Sequence, residues 1–148
     1  MDTRNTKNEG SKSKVLFVCT ANAYRSPICE ALLKKLRPDL IVDSAGTKTK
    51  ILCNRISNEA RKYLTKEDAI QYLKKTPESV DIKQIEQYDI IIAMEHEHKD
   101  ILLKKCSECK NKIVVWGIPD KIPFLYRRTK EINRQMKSNV IAFSESLA

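Results

Sequence analysis

The sequence predicts an α/β domain: a four-stranded, doubly wound parallel sheet with helices on both faces, three layers in all. Three observations predict it. Short apolar runs alternate with segments of helical periodicity along the whole chain. The two strongest runs, Lys14–Val18 and Tyr88–Met94, lack the one-face alternation of a half-solvated strand and read as strands covered on both sides. A helix start follows the first run across one short loop, as in a unit that crosses over to a parallel neighbour.

Each element has its own signal. Lys14–Val18 (K-V-L-F-V) is the first strand, and the polar loop Cys19–Arg25 leaves its carboxyl end. Ser26-Pro27 opens a helix, Ser as a cap and Pro in the first turn. Ile28, Ala31, Leu32 and Leu36 form its apolar face, and Pro38 stops it. Leu40–Val42 is a second strand, with a turn expected over Asp43–Thr47. Ser57–Lys75 reads as one broken helix or two short ones, with a second start at Thr65. Thr76-Pro77-Glu78 looks like the first turn of a short helix running towards Gln87. After the strand at Tyr88–Met94 come a helix over Glu95–Lys105, a strand over Lys112–Trp116, and a loop over Gly117–Pro123. The last helix, about Arg128–Phe143, carries Ile132, Met136, Val140 and Phe143 on one side.

A chain of 148 residues accommodates one domain of this kind. We expect residues 1–13 to be a basic, disordered tail and residues 14–148 a single domain. With 41% hydrophobic and 32% charged residues and no apolar run near the roughly 20 needed to cross a bilayer, no membrane association is expected. The polar stretch Met1–Lys14 lacks the apolar core of a secretory leader, and five cysteines are an odd number. Both point to a cytoplasmic setting with free thiols. The net charge of +9 favours anionic partners. Its cations are spread along the chain, so nucleic acid is not an expected partner.

The chemistry is concentrated in Cys19-Thr20-Ala21-Asn22-Ala23-Tyr24-Arg25-Ser26-Pro27, a C-x5-R-S pattern between a strand and a helix. Five intervening residues let the loop curl so that backbone N–H groups converge on an anion at the positive end of the helix. That field favours a sulfur anion at Cys19, a competent nucleophile towards phosphorus. The planar fork of Arg25 suits two phosphoryl oxygens. Ser26 is placed to donate to the Cys19 sulfur, and Asn22 tolerates the left-handed backbone that a tight loop needs. An aryl or alkyl oxygen also needs a proton to leave. Asp120, on the loop after the last strand, falls at the same end of the sheet and is the candidate acid; its alternative reading is a turn residue between two prolines.

This segment resembles the signature of the low-molecular-weight protein tyrosine phosphatases, roughly V-C-x-G-N-x-C-R-S-P. Val42-Asp-Ser-Ala-Gly-Thr47 is similar to that family's S-A-G turn, Tyr88-Asp-Ile-Ile-Ile-Ala-Met94 to its Y-D-x-I-x-x-M strand, and Ile118-Pro-Asp120 to its acid loop. The resemblance runs from Lys14 to about Phe143. It implies the phosphotyrosine phosphatase I-like fold and a phosphomonoesterase that uses no cofactor and no metal. Cys19 would take the phosphoryl group, Arg25 and the loop N–H groups would hold its oxygens, and Asp120 would serve as acid and then base. Ser44 would brace Asn22. Tyrosine-phosphorylated proteins or small aryl phosphates would be the substrates and phosphate a product inhibitor. Departures from the pattern are Ala21 for the family's Gly, Tyr24 for its second loop Cys, and Lys121 for the Pro after the acid; its aromatic pair is absent, with Phe124 and Tyr126 nearby.

Two rivals stand beside this reading. A thiol-linked arsenate reductase shares the fold and faintly resembles Trp116–Asp120, but its relay cysteines have no match just past the third strand. A module that binds phosphate or phosphopeptides with little turnover fits the charge. Cys106-x-x-Cys109 admits a redox pair or half a zinc site with His96 and His98. Those histidines face different sides of a helix, which favours exposed helix-end cysteines without metal. Cys29 and Cys53 read as packing residues, and Tyr24 is expected at the pocket mouth.

Overall fold

Val15, Leu16, Phe17 and Val18 are all fully buried in a computed structural model of the chain, so the first strand has no solvent face. The structure describes residues 13–49, 54–120 and 126–147. Residues 1–12 of the expected tail, Cys53, Lys121 and Phe124 lie outside them, as does the side chain of Tyr126.

Strand β1 is Lys14–Cys19, helix α1 Arg25–Leu36, β2 Ile41–Gly46, α2 Asn58–Lys66, β3 Ile90–Ala93, α3 His96–Lys105, β4 Ile113–Val115 and α4 Tyr126–Ser146. The sheet order is β2-β1-β3-β4 and every pairing is parallel. Side-chain alternation along β1 divides the core in two. Val15, Phe17 and Cys19 pack with α1, α2 and α4 through Ile28, Leu33, Leu64, Ile132, Met136 and Val140. Leu16 and Val18 pack on the other face with Val80, Ile85, Leu102 of α3 and Ile113. The chain crosses from β1 to β2 on one side and then back past β1 to β3 on the other, so the switch point lies beside β1, where the carboxyl ends of strands open a crevice.

Local structure departs from the pattern reading in five places. Helix α1 starts at Arg25 with Tyr24 before it, so Ser26 is its second residue and not its cap. β2 runs on through Asp43-Ser-Ala-Gly46, where a turn was expected, because each of these residues pairs with β1. Thr65 starts no second helix: its hydroxyl donates to the Arg61 carbonyl inside α2, and a 3-10 turn at Ile70–Tyr72 follows. Ser57 caps α2 through the Ala60 N–H. In place of a short helix towards Gln87, two 3-10 turns at Val80–Ile82 and Ile85–Gln87 carry Val80 and Ile85 into the core, the first capped by Ser79. The β3 ladder is shorter than Tyr88–Met94, since Tyr88 ends the second of those turns.

Candidate active site

β1 delivers Cys19 to the carboxyl edge of the sheet opposite Gly46, and the chain turns at once into the loop that opens α1. The loop carbonyls are drawn outwards. That of Cys19 accepts from Thr47 N–H at 2.9 Å, that of Thr20 from Lys48 at 2.8 Å, that of Ala23 from Ser57 at 2.9 Å, and that of Tyr24 from Ile28 at 3.2 Å. In a trans peptide the N–H points opposite to the C=O, so the N–H groups of Thr20, Ala21, Tyr24 and Arg25 are directed the other way. Helix α1 adds its positive end: its first turn holds no acidic residue and Tyr24 makes no side-chain cap. The result is an anion cradle.

Asn22 holds the loop in shape. Its φ of 56° is in the left-handed region that Asn adopts more readily than most residues. All four hydrogen-bonding positions of its buried amide are used. Nδ2 donates to Ser26 Oγ at 2.8 Å and Ser44 Oγ at 2.9 Å, and Oδ1 accepts from Lys74 Nζ at 2.7 Å and the Glu78 N–H at 2.8 Å. Ser44 in turn donates to Glu30 Oε1 at 2.5 Å. Since Ser26 Oγ accepts from Asn22, its own hydrogen is available for Cys19 Sγ, 3.0 Å away.

Arg25 is buried, and its Nη1 donates to Glu95 Oε1 at 2.6 Å and to the Ile118 carbonyl at 2.8 Å. Those two bonds use both Nη1 hydrogens and leave the Nε–H and Nη2 side of the fork for an oxyanion. Asp120 lies on that side, with Oδ1 3.9 Å from Nε, and is 64% exposed at the rim. Asp120, 95 positions beyond Arg25 in sequence, thus lies at the sheet edge that carries the Cys19–Arg25 loop.

Several site residues carry no signal in the C-x5-R-S motif. Glu95 is the N-cap of α3 and His98 its third residue; together they form a capping box, in which Glu95 accepts from the His98 backbone and His98 Nδ1 from the Glu95 N–H at 3.0 Å. The spacing E-x-x-H before a helical run was the available clue. His98 Nε2 stands 2.8 Å from Thr20 Oγ1. Burial, then the Arg25 guanidinium, hold its imidazole below the usual range, against Glu97, Glu95 and Asp120. Glu95, Glu97 and His98 bring ligand-type atoms together, but both His98 nitrogens are committed to these hydrogen bonds. Lys74, only 8% exposed, braces Asn22 and Ser44 and pairs with Glu78 at 2.8 Å.

Other expectations need correction. Tyr24 is buried rather than spread over the pocket mouth; its hydroxyl donates to Asn133 Oδ1 on α4, and burial, then Glu59, push its phenol upwards. Ala21 and Ala23 are partly exposed loop positions. Cys106 and Cys109 are neither exposed nor free. Cys106 ends α3, the chain turns into the 3-10 segment Ser107–Lys112, and the two Cα atoms come to 5.4 Å in a buried disulfide. A ten-residue helix, about 15 Å long, separates that disulfide from the Arg25 partner Glu95. Among the described residues the free cysteines are Cys19 and Cys29. Burial, then nearby Cys19, push the Cys29 thiol upwards, so it packs as a neutral group.

Similarity to known proteins agrees with this geometry. The profile of the family described as low molecular weight phosphotyrosine protein phosphatase matches residues 14–118. The low molecular weight protein-tyrosine-phosphatase Wzb of Salmonella typhi is 29% identical over 122 residues, 80% of each chain. The solved low molecular weight protein tyrosine phosphatase of T. tengcongensis superposes with a TM-score of 0.79 at 25% identity, covering 92% of this chain and 100% of the other. A YwlE arginine phosphatase with a phosphorylated active-site serine shares the fold, with a TM-score of 0.79 at 20% identity over 90% of this chain and 95% of its own. With its profile matched from the first strand to Ile118, two residues short of Asp120, the chain belongs to the low molecular weight phosphotyrosine protein phosphatase family.

Proposed function

We propose that this phosphatase cleaves phosphate monoesters in two steps at Cys19, with phosphotyrosine in proteins, or a small aryl phosphate, as substrate. The observation that carries the reading is the meeting of Cys19 Sγ, Arg25 and Asp120 around the loop, with Ser26 Oγ 3.0 Å from the sulfur and Asp120 Oδ1 3.9 Å from Arg25 Nε. Cys19 attacks phosphorus as the thiolate, and the P–O bond to the leaving group breaks as Asp120 gives that oxygen its proton. Arg25 and the loop N–H groups hold the non-bridging oxygens through both transition states. Asp120, now a carboxylate, takes a proton from the water that attacks the phosphocysteine. Sulfur leaves as thiolate, assisted by the Ser26 hydroxyl, and inorganic phosphate, a product inhibitor, is released. No step calls for a metal or cofactor.

Phosphotyrosine follows from the named relatives, not from the shape of the fold, since the arginine phosphatase shares that shape. No helix among the described residues is long and apolar enough to cross a membrane. The unpaired Cys19 required by this chemistry fits a cytoplasmic setting, and residues 14–148 act as the single catalytic domain. Hydrolysis of an aryl phosphate by the wild type and by Cys19→Ser tests the reading, with a phosphoarginine peptide as the comparison substrate. Turnover of the ester by the wild type alone is expected. Phosphate binding by both proteins with turnover by neither would leave a binding module in its place, and preference for the phosphoarginine peptide would change the substrate class.

A further inference from the structure

We propose that the Thr20 hydroxyl is a phosphoryl-contacting hydrogen-bond donor and that His98 is the residue that aims it. The inference rests on the phosphate-loop reading above and adds a side-chain donor to the backbone N–H groups and Arg25.

His98 is fully buried beside the loop. The Glu95 N–H points at its Nδ1 from 3.0 Å, so Nδ1 must be the acceptor. A neutral imidazole with an accepting Nδ1 carries its hydrogen on Nε2. Nε2–H therefore donates to Thr20 Oγ1 at 2.8 Å. A second donor, Arg25 Nη2, approaches the same oxygen at 3.4 Å. Both lone pairs of the hydroxyl thus face donors, and its single hydrogen must find an acceptor elsewhere. The described residues supply none. Thr20 is only partly buried and directly follows the nucleophile, with its oxygen against the guanidinium that takes the substrate's oxygens. The acceptor that completes the set is a phosphoryl oxygen.

The geometry also explains why a histidine serves here. Were His98 protonated, Nδ1–H would confront the Glu95 N–H, and the cap of α3 would be lost with the orientation of Thr20. The charged and titratable groups that face it are Arg25, Glu95, Glu97 and Asp120. His98 touches no reacting atom; it is a positioning residue that works through Thr20.

The test uses the full chain, with an aryl phosphate for kinetics and inorganic phosphate as the equilibrium probe. Thr20→Val keeps the shape and removes the donor. A hydrogen bond to a charged group is worth enough to predict a loss of about ten- to a hundredfold in kcat/KM, and phosphate affinity should fall with it. Thr20→Ser, which retains a hydroxyl, should restore most of both. His98→Gln should give an intermediate loss, and the double variant Thr20→Val/His98→Gln should be no slower than Thr20→Val alone. Wild-type kcat/KM and phosphate affinity in folded Thr20→Val would overturn the contact. A double variant slower by the product of the single losses would overturn the role given to His98. A wild type that neither binds phosphate nor hydrolyses the ester would overturn the whole loop reading, and is distinguished from the first outcome by the wild type itself.

Discussion

A Cβ on Gly46 would stand 2.6 Å from the Thr20 carbonyl oxygen, 2.9 Å from the Asn22 nitrogen and 3.0 Å from the Ala21 carbonyl carbon. All three are backbone atoms of the phosphate loop, so no flexible side chain can swing aside. Gly46 is the last residue of β2, paired with Cys19, and the loop lies directly over it. Gly46→Ala must therefore push the loop out of register with α1. We expect about 1–3 kcal/mol of lost stability from overpacking and a larger proportional loss of activity, on the order of a hundredfold in kcat/KM, because small misplacement of reacting groups is costly. Unfolding midpoints and aryl phosphate kinetics on one preparation check both numbers. Normal kcat/KM would show that the loop yields without consequence.

The contiguous half of the candidate site was legible in the sequence, and the convergent half was not. Cys19, Asn22, Arg25 and Ser26 sit within eight residues between a strand and a helix, so one motif specifies both their chemistry and their placement. Asp120 could be reached only through topology: a parallel sheet brings the loop after its fourth strand to the same edge. Glu95, His98 and Lys74 reach the loop because tertiary packing folds them against it, and no spacing within the motif encodes that. The S-A-G segment was recognisable but read as a turn, because Asp43, Ser44 and Gly46 are poor strand formers. Their pairing with β1 overrides local preference. Cys106 and Cys109 were read as exposed helix-end residues without metal, but the helix end tucks both inward and joins them.

Lys74 provides a test of how much a side chain outside the motif shapes the loop. Its ammonium contacts Asn22 Oδ1 at 2.7 Å, the Ser44 carbonyl at 2.8 Å and Ser44 Oγ at 3.2 Å. Lys74→Met keeps most of the packing and leaves these acceptors with one donor fewer. The expected cost is about 1–3 kcal/mol of stability, with roughly tenfold slower turnover as Asn22 loses its left-handed anchor. Lys74→Arg should recover part of both. Unchanged kinetics in the Met variant would mean that the Glu78 N–H alone fixes Asn22.

Stability at mildly acidic pH should depend on His98. Burial, then Arg25, hold this imidazole below its ordinary value of about 6.5 in the folded chain. Below about pH 6.5 the unfolded chain binds a proton here that the native chain refuses, so stability falls as pH drops, until the lowered native value is reached. The contribution is fully present above the unfolded value. The slope is at most about 1.4 kcal/mol per pH unit for one proton. Urea midpoints measured at neutral pH and near pH 5 should separate the wild type from His98→Gln, which lacks the titrating group and should show a shallower acid loss. Equal losses in the two proteins would place the acid sensitivity elsewhere.

The position of Asp120 suits proton transfer better than phosphate binding. A carboxylate 3.9 Å from Arg25 Nε and largely in solvent would repel a phosphate dianion if its only part were to bind it. As a proton donor its value depends on the leaving group. A nitrophenolate departs readily without a proton, whereas an unsubstituted phenolate or an alkoxide does not. Asp120→Asn should therefore slow hydrolysis modestly for the nitrophenyl ester and by about a further ten- to hundredfold for phenyl phosphate, with KM little changed. A series of aryl phosphates should show a steeper dependence of kcat/KM on leaving-group basicity in the variant than in the wild type. Identical slopes would remove the proton transfer from Asp120 and return the residue to its alternative role as a turn between Pro119 and Pro123.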